Sequence, residues 1–247
     1  MAFDEILRAP TFVVNLDRCV ERWTMCSNRI EEAGFTDVRR WRGVDAQNDD
    51  LKSVWMEALD GVAPRFSIYH TELMKHPGTQ GCLLSHLLLW KKMVREEIPM
   101  AVVLEDDVMF HPQWSLLAPM YYEETPKNFD IMYMGSQRDE VGTGRYVDKV
   151  PVFCTHAYVI TLEGAKRLIQ ALLNHPWGFY AIDCMLIDYM KWEKRTGQLA
   201  PFIWYSWNGT LVPTKEAQME EGWDKRNSGL VFQDYSFPSD VRTTWTD

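Results

Sequence analysis

Three consecutive acidic residues, Glu105, Asp106 and Asp107, directly follow a short apolar run at 101–104. Such a run is typical of a buried strand, and in open α/β sheets ligands bind at the carboxyl ends of the strands. The alternate residues Glu105 and Asp107 can converge on one side and offer hard oxygen ligands to Mn²⁺ or Mg²⁺. A solvated acidic turn is the other interpretation of the triplet, and the preceding buried strand favours the metal site.

A divalent cation would let this acidic chain hold a nucleotide diphosphate. The 247 residues include 26 Lys and Arg and 35 Asp and Glu, which gives a net charge of −9. Bare carboxylates repel a diphosphate, whereas a bridging cation reverses the local charge and stabilises a leaving diphosphate. Arg18 and Arg22, one helical turn apart, could assist, although a solvated helix face is the commoner role of such a pair. No basic run is longer than Arg39–Arg40, which argues against a protein that binds nucleic acid through its phosphates.

Asp183 is the other carboxylate whose position could serve chemistry. It follows the turn Trp177–Tyr180 and stands where a helix is predicted to begin. One interpretation is a helix N-cap, and the other is a general base at the rim of a pocket. The two roles are compatible.

Other motifs that carry chemistry are missing from the sequence. It has no P-loop, serine-hydrolase elbow, HExxH pair or EF-hand pattern. Ser85 and His86 are adjacent on a predicted helix and point in different directions, Ser85 away from its apolar stripe, which argues against a nucleophile pair. A phosphoester hydrolase would need more clustered carboxylates or histidines at strand ends. The five cysteines form no CxxC pair and are predicted to be reduced thiols.

Hydrophobic patterning predicts the elements that must position these side chains. Predicted strands cover 11–16, 38–44, 101–104, 130–134 and 152–160. Predicted helices cover 17–33 with Asp17 as N-cap, 81–97, 162–173 with Thr161 as N-cap, and 183–194. Irregular structure with one short helix is expected over 51–78, and an aromatic, turn-rich segment over 197–247. The alternation predicts one α/β domain whose sheet is covered on both faces.

No apolar run approaches the roughly 20 residues that a membrane helix needs. The first eight residues place acids before apolar residues and lack the apolar core of a secretory signal. We therefore expect a cytoplasmic protein without a transmembrane segment, peripheral to a membrane at most. The 11 tryptophans either fill the core or supply flat faces for sugar rings.

Six segments with recognisable residues follow one another between residues 12 and 189. They are Val13–Arg18 with Glu21 and Arg22, Gly43–Asp45, Gly81–Leu87 with Trp90, Val103–Asp107, Ala157–Leu168, and Ile182–Asp183. This ordered set resembles glycosyltransferase family 25, which includes bacterial lipooligosaccharide galactosyltransferases and the galactosyltransferases that act on collagen hydroxylysine.

The resemblance implies a GT-A-type, Rossmann-like mixed sheet flanked by helices in a single domain. Residues 11–110 would form the nucleotide-sugar-binding half and 111–247 the acceptor side. The implied activity is metal-dependent, inverting transfer of a hexose, galactose or glucose, from a UDP-sugar to a hydroxyl of a glycan, glycolipid or protein acceptor. The alternative is an inactive module of the same fold that binds a nucleotide sugar or a glycan.

The resemblance also implies roles for individual residues. Glu105 and Asp107 would hold Mn²⁺ or Mg²⁺, with Asp107 the better direct ligand, and Asp183 would be the catalytic base. Donor-binding positions are Asn15, Arg22, Asp45, Ser85, His86, Glu105 and Asp106. Collagen-type members carry a His near a C-terminal Pro-Thr, whereas Pro213-Thr214 is followed here by Lys215. Glu216, Gln218 or water is expected to supply the third metal ligand instead.

Overall fold

The computed structural model of the chain describes residues 2–138, 140, 142–209, 227–234 and 236. Its helices are α1 (Phe3–Arg8), α2 (Val20–Glu32), α3 (Leu51–Ala58), α4 (Thr71–Lys75), α5 (Pro77–Arg95), α6 (Trp114–Glu124), α7 (Leu162–Leu173) and α8 (Ile182–Thr196). Its strands are β1 (Thr11–Asn15), β2 (Val38–Arg42), β3 (Met100–Glu105), β4 (Val108–Phe110), β5 (Ile131–Gln137), β6 (Val147–Asp148), β7 (Phe153–Thr161), β8 (Trp204–Trp207), β9 (Asn227–Gly229) and β10 (Val231–Gln233).

The main sheet is mixed, with the strand order β2-β1-β3-β7-β5-β8-β6 and β9 paired to β5. Strands β2, β1, β3, β5 and β8 run in one direction, and β7, β6 and β9 run against them. The predicted mixed α/β fold is confirmed. Strands β2, β1 and β3, which precede residue 110, lie side by side, and β7 joins them to the strands that follow it in the same sheet. The division into donor and acceptor halves stays a prediction.

Two hydrophobic clusters cover the two faces of the sheet. Val103 belongs to one cluster, and its neighbours Val102 and Leu104 belong to the other, as expected for a strand whose side chains alternate between faces. Trp90 and Trp204 are buried in the first cluster and Trp207 in the second. These tryptophans therefore form core, and each stabilises the fold by about 2–3 kcal/mol through burial.

The structure departs from the predicted elements at the start of α2 and over residues 51–78. Helix α2 begins at Val20 rather than after Asp17, because the Asp17 carboxylate instead accepts hydrogen bonds from Arg40 and Arg42 on β2, both at 2.8 Å. Residues 51–78 contain two short helices, α3 and α4, as well as the start of α5.

Helix α6 was not predicted from the sequence. It contains Pro119 and begins without a side-chain cap, so local signals argue against it. Packing of Trp114 against Phe3 of α1, with ring centroids 5.8 Å apart, supports it. By contrast, α7 has its predicted bounds, and the Thr161 hydroxyl accepts the predicted cap hydrogen bond from Gly164 N at 3.0 Å. No helix in the described part of the chain is long and apolar enough to cross a membrane.

Candidate active site

Strands β1, β3 and β7 and the start of α8 meet at one edge of the sheet. Strands β1 and β3 are parallel and end there, at Asn15 and Glu105. Because β7 is antiparallel to β3, with Leu104 opposite Ala157, β7 begins at the same edge. A backbone irregularity between β5 and β7 spans the first residues of β7, where Cys154 has φ of 71°. Such irregularities re-aim side chains near active sites, and here they direct Cys154 and Thr155 towards β3 and the start of α8.

Asp106 is the anchor of the acidic loop. One carboxylate oxygen accepts a 2.6 Å hydrogen bond from Asn15 Nδ2, and the other accepts one from Arg22. Asn15 is itself fixed, because its Nδ2 donates to Cys19 O at 3.0 Å and its Oδ1 accepts from Arg40 Nε at 2.7 Å. Burial raises the pKa of Asp106 even though Arg22 and Asn15 oppose that shift. This network ties β1, β2, α2 and the acidic loop together.

Glu105 points to a different set of partners, on β7 and α5. Thr155 Oγ1 donates a 3.0 Å hydrogen bond to Glu105 Oε1, and His86 Nε2 lies 3.5 Å from the same oxygen. Burial raises the pKa of Glu105, but His86, the charge of His156 and the Thr155 hydroxyl outweigh burial and hold that pKa below its usual value. Glu105 is therefore held towards β7 and α5.

His86 is fully buried, and its ring is fixed through the nitrogen that does not face Glu105. Its Nδ1 lies 2.8 Å from the Tyr158 hydroxyl, which also accepts a 2.9 Å hydrogen bond from Trp90 Nε1. The ring therefore has one defined orientation, with Nε2 directed at Glu105.

Asp107 contacts residues from both ends of the chain. Its Oδ2 lies 3.7 Å from Arg22 Nη2 and 3.5 Å from Gln233 Nε2. Its carbonyl oxygen accepts a 2.5 Å hydrogen bond from Asp234 N, and Asp234 is held by Arg29 Nη2 at 2.8 Å. Strand β10 thus closes on the acidic loop from the C-terminal part of the chain.

Asp183 is the second residue of α8, whose N-cap is Ala181, so the N-cap interpretation is wrong. Its carboxylate accepts hydrogen bonds from Cys184 N at 2.8 Å and Cys154 N at 3.3 Å. Burial raises the pKa of Asp183 against these two hydrogen bonds. The pKa of the Cys154 thiol is raised first by burial and then by the charges of Asp183, Glu105 and Asp107. The three carboxylates therefore lie close enough to the Cys154 thiol to act on it together.

Asp45 lies in the loop that follows β2, and Ser85 of α5 contacts the same loop. Asp45 Oδ2 accepts hydrogen bonds from Arg18 Nε at 2.9 Å and from Asn48 Nδ2 at 2.8 Å. Ser85 is buried although it points away from the helix's apolar stripe, because the Val44 loop covers that face. The Ser85 hydroxyl accepts from Val44 N at 2.8 Å and donates to Gly81 O at 2.6 Å. These contacts hold the loop on α5, and a donor contact of Ser85 stays a prediction.

The structure thus sorts the predicted residues into groups. Asn15, Arg22 and Asp106 form one hydrogen-bonded network, His86 contacts Glu105, and Asp183 lies across β7 from them. Sequence reasoning missed Cys82, Thr155, Arg40, Tyr158 and Gln233. Cys82 stands four residues before His86, a spacing that puts both side chains on one helix face, and this signal was available. Tyr158 and Gln233 carry no comparable signal.

The residues present fit a hard divalent cation. In the part of the chain that the structure describes, the contacts of Glu105 and Asp183 are with Thr155, His86 and backbone N–H groups, and include no Lys or Arg. Carboxylate oxygens without a cationic side chain are the donor set that Mn²⁺ and Mg²⁺ prefer. Glu105 fits this description, and the predicted second ligand Asp107, whose Oδ2 lies 3.7 Å from Arg22 Nη2, stays a prediction. Lys215, Glu216 and Gln218, which bear on the predicted third ligand, lie outside the described residues.

Comparison with known proteins relates this site to named families. The family model described as "Glycosyltransferase family 25 (LPS biosynthesis protein)" matches residues 8–140. That range contains every predicted donor and metal residue and ends before Asp183. Among solved structures, a glycosyltransferase involved in glycosylation of the major capsid of PBCV-1 aligns with 87% of this chain and 98% of its own, at 9% identity and a TM-score of 0.41.

Two curated relatives illustrate the sequence similarity. A glycosyltransferase 25 family member of Aedes aegypti is 32% identical over 171 residues, which are 64% of this chain and 27% of the relative. Human procollagen galactosyltransferase 2 is 29% identical over 195 residues, 72% of this chain and 29% of the relative. The chain therefore spans less than a third of the length of these relatives. Because the family model covers more than half of its residues, the chain belongs to glycosyltransferase family 25.

Proposed function

We propose that this protein is a metal-dependent, inverting glycosyltransferase. It moves a hexose from a UDP-sugar to a hydroxyl group of a glycan, glycolipid or protein acceptor. Family membership supports sugar transfer, and the name of the human relative supports galactose as the hexose, with glucose the other candidate. The observation that carries the proposal is the group of three carboxylates, Glu105, Asp107 and Asp183, at one sheet edge, where no Lys or Arg of the described residues contacts Glu105 or Asp183.

The donor side of the proposed reaction uses the acidic loop and the start of α2. Glu105 and Asp107 would hold Mn²⁺ or Mg²⁺, and the bound ion would supply positive charge to the diphosphate and to the departing UDP. Asp106 does not need to touch the ion, because both of its oxygens are bonded to Asn15 and Arg22. Its role is to fix the loop so that its two neighbours stay in place. Arg18 and Arg22 add positive charge beside the diphosphate.

The acceptor side uses Asp183 as the general base. Its carboxylate takes the proton of the acceptor hydroxyl as that oxygen attacks the anomeric carbon, and the bond from that carbon to UDP breaks on the opposite face. One displacement inverts the anomeric configuration and needs no enzyme nucleophile, unlike a retaining glycosidase. Burial, which raises the pKa of Asp183, strengthens this carboxylate as a base. The two backbone N–H groups that bind it fix its orientation.

The direct test is UDP release from UDP-galactose and UDP-glucose with and without Mn²⁺, first to water and then to a panel of sugar, glycolipid and peptide acceptors. We expect release by the wild type with Mn²⁺ and at least about a thousandfold loss in Asp107→Ala, because charge stabilisation of the leaving group is lost. Thermal unfolding should show that Asp107→Ala remains folded.

The matched control is Glu124→Gln, which removes an exposed carboxylate at the end of α6 and should release UDP at the wild-type rate. Sugar transfer by Asp107→Ala at the wild-type rate would refute the metal assignment. Tight UDP binding by the wild type without any turnover would favour the inactive module instead. One bovine relative, 27% identical over 185 residues, is named a probable inactive glycosyltransferase 25 family member.

A further inference from the structure

A second group of metal-ligating atoms lies beside the proposed catalytic cation and shares one carboxylate with it. One ligand atom each from Cys82, His86 and Glu105 lies within 4.8 Å of the other two. Cys82 and His86 are four residues apart on α5, so they project from the same helix face. The set combines a thiol, an imidazole and one carboxylate, and differs chemically from an all-oxygen site.

His86 presents its Nε2 to this cluster, and no described residue supplies that nitrogen with a hydrogen-bond partner. The residue is fully buried, and Nε2 makes no hydrogen bond although Glu105 Oε1 lies 3.5 Å away. A buried polar atom without a partner is costly unless something binds it. The other ring nitrogen faces the Tyr158 hydroxyl at 2.8 Å, and metal-binding histidines commonly hold their second nitrogen in this way.

The remaining surroundings also suit a cation. Thr155 Oγ1 donates to Glu105 Oε1 at 3.0 Å and lies 4.0 Å from Cys82 Sγ, so it would orient the carboxylate from outside the ligand set. Cys82 and Glu105 are both half-buried, which leaves one side of the cluster open to an entering ion and a water. The nearby charges of Glu105 and Asp183 favour a positive ion at this point.

We propose that Cys82, His86 and Glu105 form a binding site for a thiophilic divalent cation of the Zn²⁺ class. The thiol proton leaves to solvent, the thiolate, His86 Nε2 and a Glu105 oxygen bind the ion, and a water takes the open position. Three protein ligands with one open position is a known zinc arrangement, and bonds of about 2.0–2.3 Å require the three groups to close by roughly 1 Å.

The site has a consequence for catalysis that rests on the proposed function. Glu105 cannot serve both ions fully, so a bound thiophilic ion withdraws a ligand from the Mn²⁺ or Mg²⁺ position. Zinc should therefore inhibit sugar transfer at concentrations far below those at which it competes for an all-oxygen site. Cys82 is then the residue that makes the enzyme sensitive to thiophilic metals.

The binding experiment uses the full chain without any substrate. Titration with Co²⁺ should produce the absorption bands of a single thiolate bound to cobalt, saturating at one ion per chain, and added Zn²⁺ should abolish them. Cys82→Ser and His86→Gln should weaken cobalt binding by at least about tenfold. The matched control Cys19→Ser, at the start of α2, should bind as the wild type does. Absence of the thiolate band in the wild type, or its persistence in Cys82→Ser, overturns the site.

A measurement on the wild type alone guards against a variant that fails to fold. Zn²⁺ should protect the Cys82 peptide from alkylation by iodoacetamide, as quantified by mass spectrometry, and leave the Cys19 peptide unprotected. Equal protection of both peptides, or of neither, contradicts the proposal.

Inhibition is then measured as UDP release at saturating Mn²⁺, each variant relative to its own rate without zinc. The zinc concentration that halves the rate should rise at least about tenfold in Cys82→Ser. Cobalt binding without zinc inhibition would overturn the competition for Glu105. A wild type that binds cobalt but never releases UDP would instead refute the proposed function and leave the metal site supported.

Discussion

The acidic loop, Glu105–Asp107, has one flank beside β1 and another beside β7. The negative charge of the carboxylates is compensated differently on the two flanks. On the β1 side, Asp106 is bound by Arg22 and Asn15, so its negative charge is balanced within the protein. On the β7 side, Glu105 and Asp183 accept hydrogen bonds from a hydroxyl and from backbone N–H groups, and His86 Nε2 lies 3.5 Å from Glu105; within the described residues no Lys or Arg contacts either carboxylate. A balanced carboxylate belongs to the scaffold, whereas carboxylates that gather without a Lys or Arg need a cation or a proton from outside. The difference separates the residues that build the site from those that carry its chemistry.

The largest predicted effect is a loss of turnover caused by a substitution on the β7 flank. Asp183→Asn keeps the shape of the side chain and removes the base, so we expect turnover to fall by about 10³-fold, within the range for a lost general base. The affinity for UDP should stay within about twofold, because the change does not touch the donor loop. Steady-state kinetics and calorimetric titration with UDP measure the two quantities.

The control for Asp183→Asn is Asp4→Asn, which removes an exposed carboxylate on α1 and should leave both quantities unchanged. A wild-type turnover in Asp183→Asn would remove Asp183 as the base. Equal losses of turnover and UDP affinity would place Asp183 on the donor side instead.

A change on the β1 flank, where Arg22 balances Asp106, should lower the stability of the fold. Arg22→Ala leaves Asp106 buried without its cation, and we expect the free energy of unfolding to fall by about 3 kcal/mol, the lower end for a broken buried pair. Arg39→Ala is the matched control, because Arg39 and Asp37 form an exposed pair worth at most about 1 kcal/mol. Urea denaturation measures both. If the two variants lose equal stability, Asp106 is not held as the structure indicates.

A third prediction concerns a buried histidine in the turn that leads to α8. Burial lowers the pKa of His175 to about 4, and its Nε2 lies 3.2 Å from the Tyr180 hydroxyl. The unfolded chain therefore takes up this proton near pH 6.5 and the folded chain only near pH 4. The contribution of His175 to the free energy of unfolding should be fully present above pH 6.5. It should fall by at most about 3 kcal/mol as the pH drops to 4.

The measurement is urea denaturation of the wild type and of His175→Gln across pH 4–7. The variant should lose less stability than the wild type over this interval, because the proton uptake of residue 175 is gone. Parallel curves for the two proteins would show that His175 does not titrate differently in the folded chain.

Local patterns made the scaffold predictable from the sequence. The apolar run before Glu105 is a strand buried on both faces. The loop at its carboxyl end therefore indicates the edge of the sheet where ligands bind. Helix α7 was predicted at its true bounds because Thr161, Glu163 and the apolar stripe agree. These features depend on neighbours within a few residues, and such information is present in one sequence.

Contacts between distant segments could not be predicted in the same way. Thr155 reaches Glu105 only because β7 runs antiparallel between β3 and β5, and no local signal gives that strand order. Gln233 reaches Asp107 because β10 pairs with β4, across more than 120 positions of sequence. Strand topology determines which residues contact each acidic side chain. The acidic residues themselves can be recognised from the local sequence.

The smallest predicted effect concerns Cys154, whose backbone brings its N–H to Asp183. Its φ of 71° lies in the left-handed region, which costs a side-chain-bearing residue roughly 1–2 kcal/mol and glycine almost nothing. In an ordinary strand, glycine is less stable than alanine by about 0.5–1 kcal/mol. At position 154 the order should reverse, with Cys154→Gly more stable than Cys154→Ala by about 1 kcal/mol in thermal unfolding. If alanine is the more stable replacement, the backbone at the start of β7 is not strained, and the N–H that orients Asp183 is held by hydrogen bonding alone.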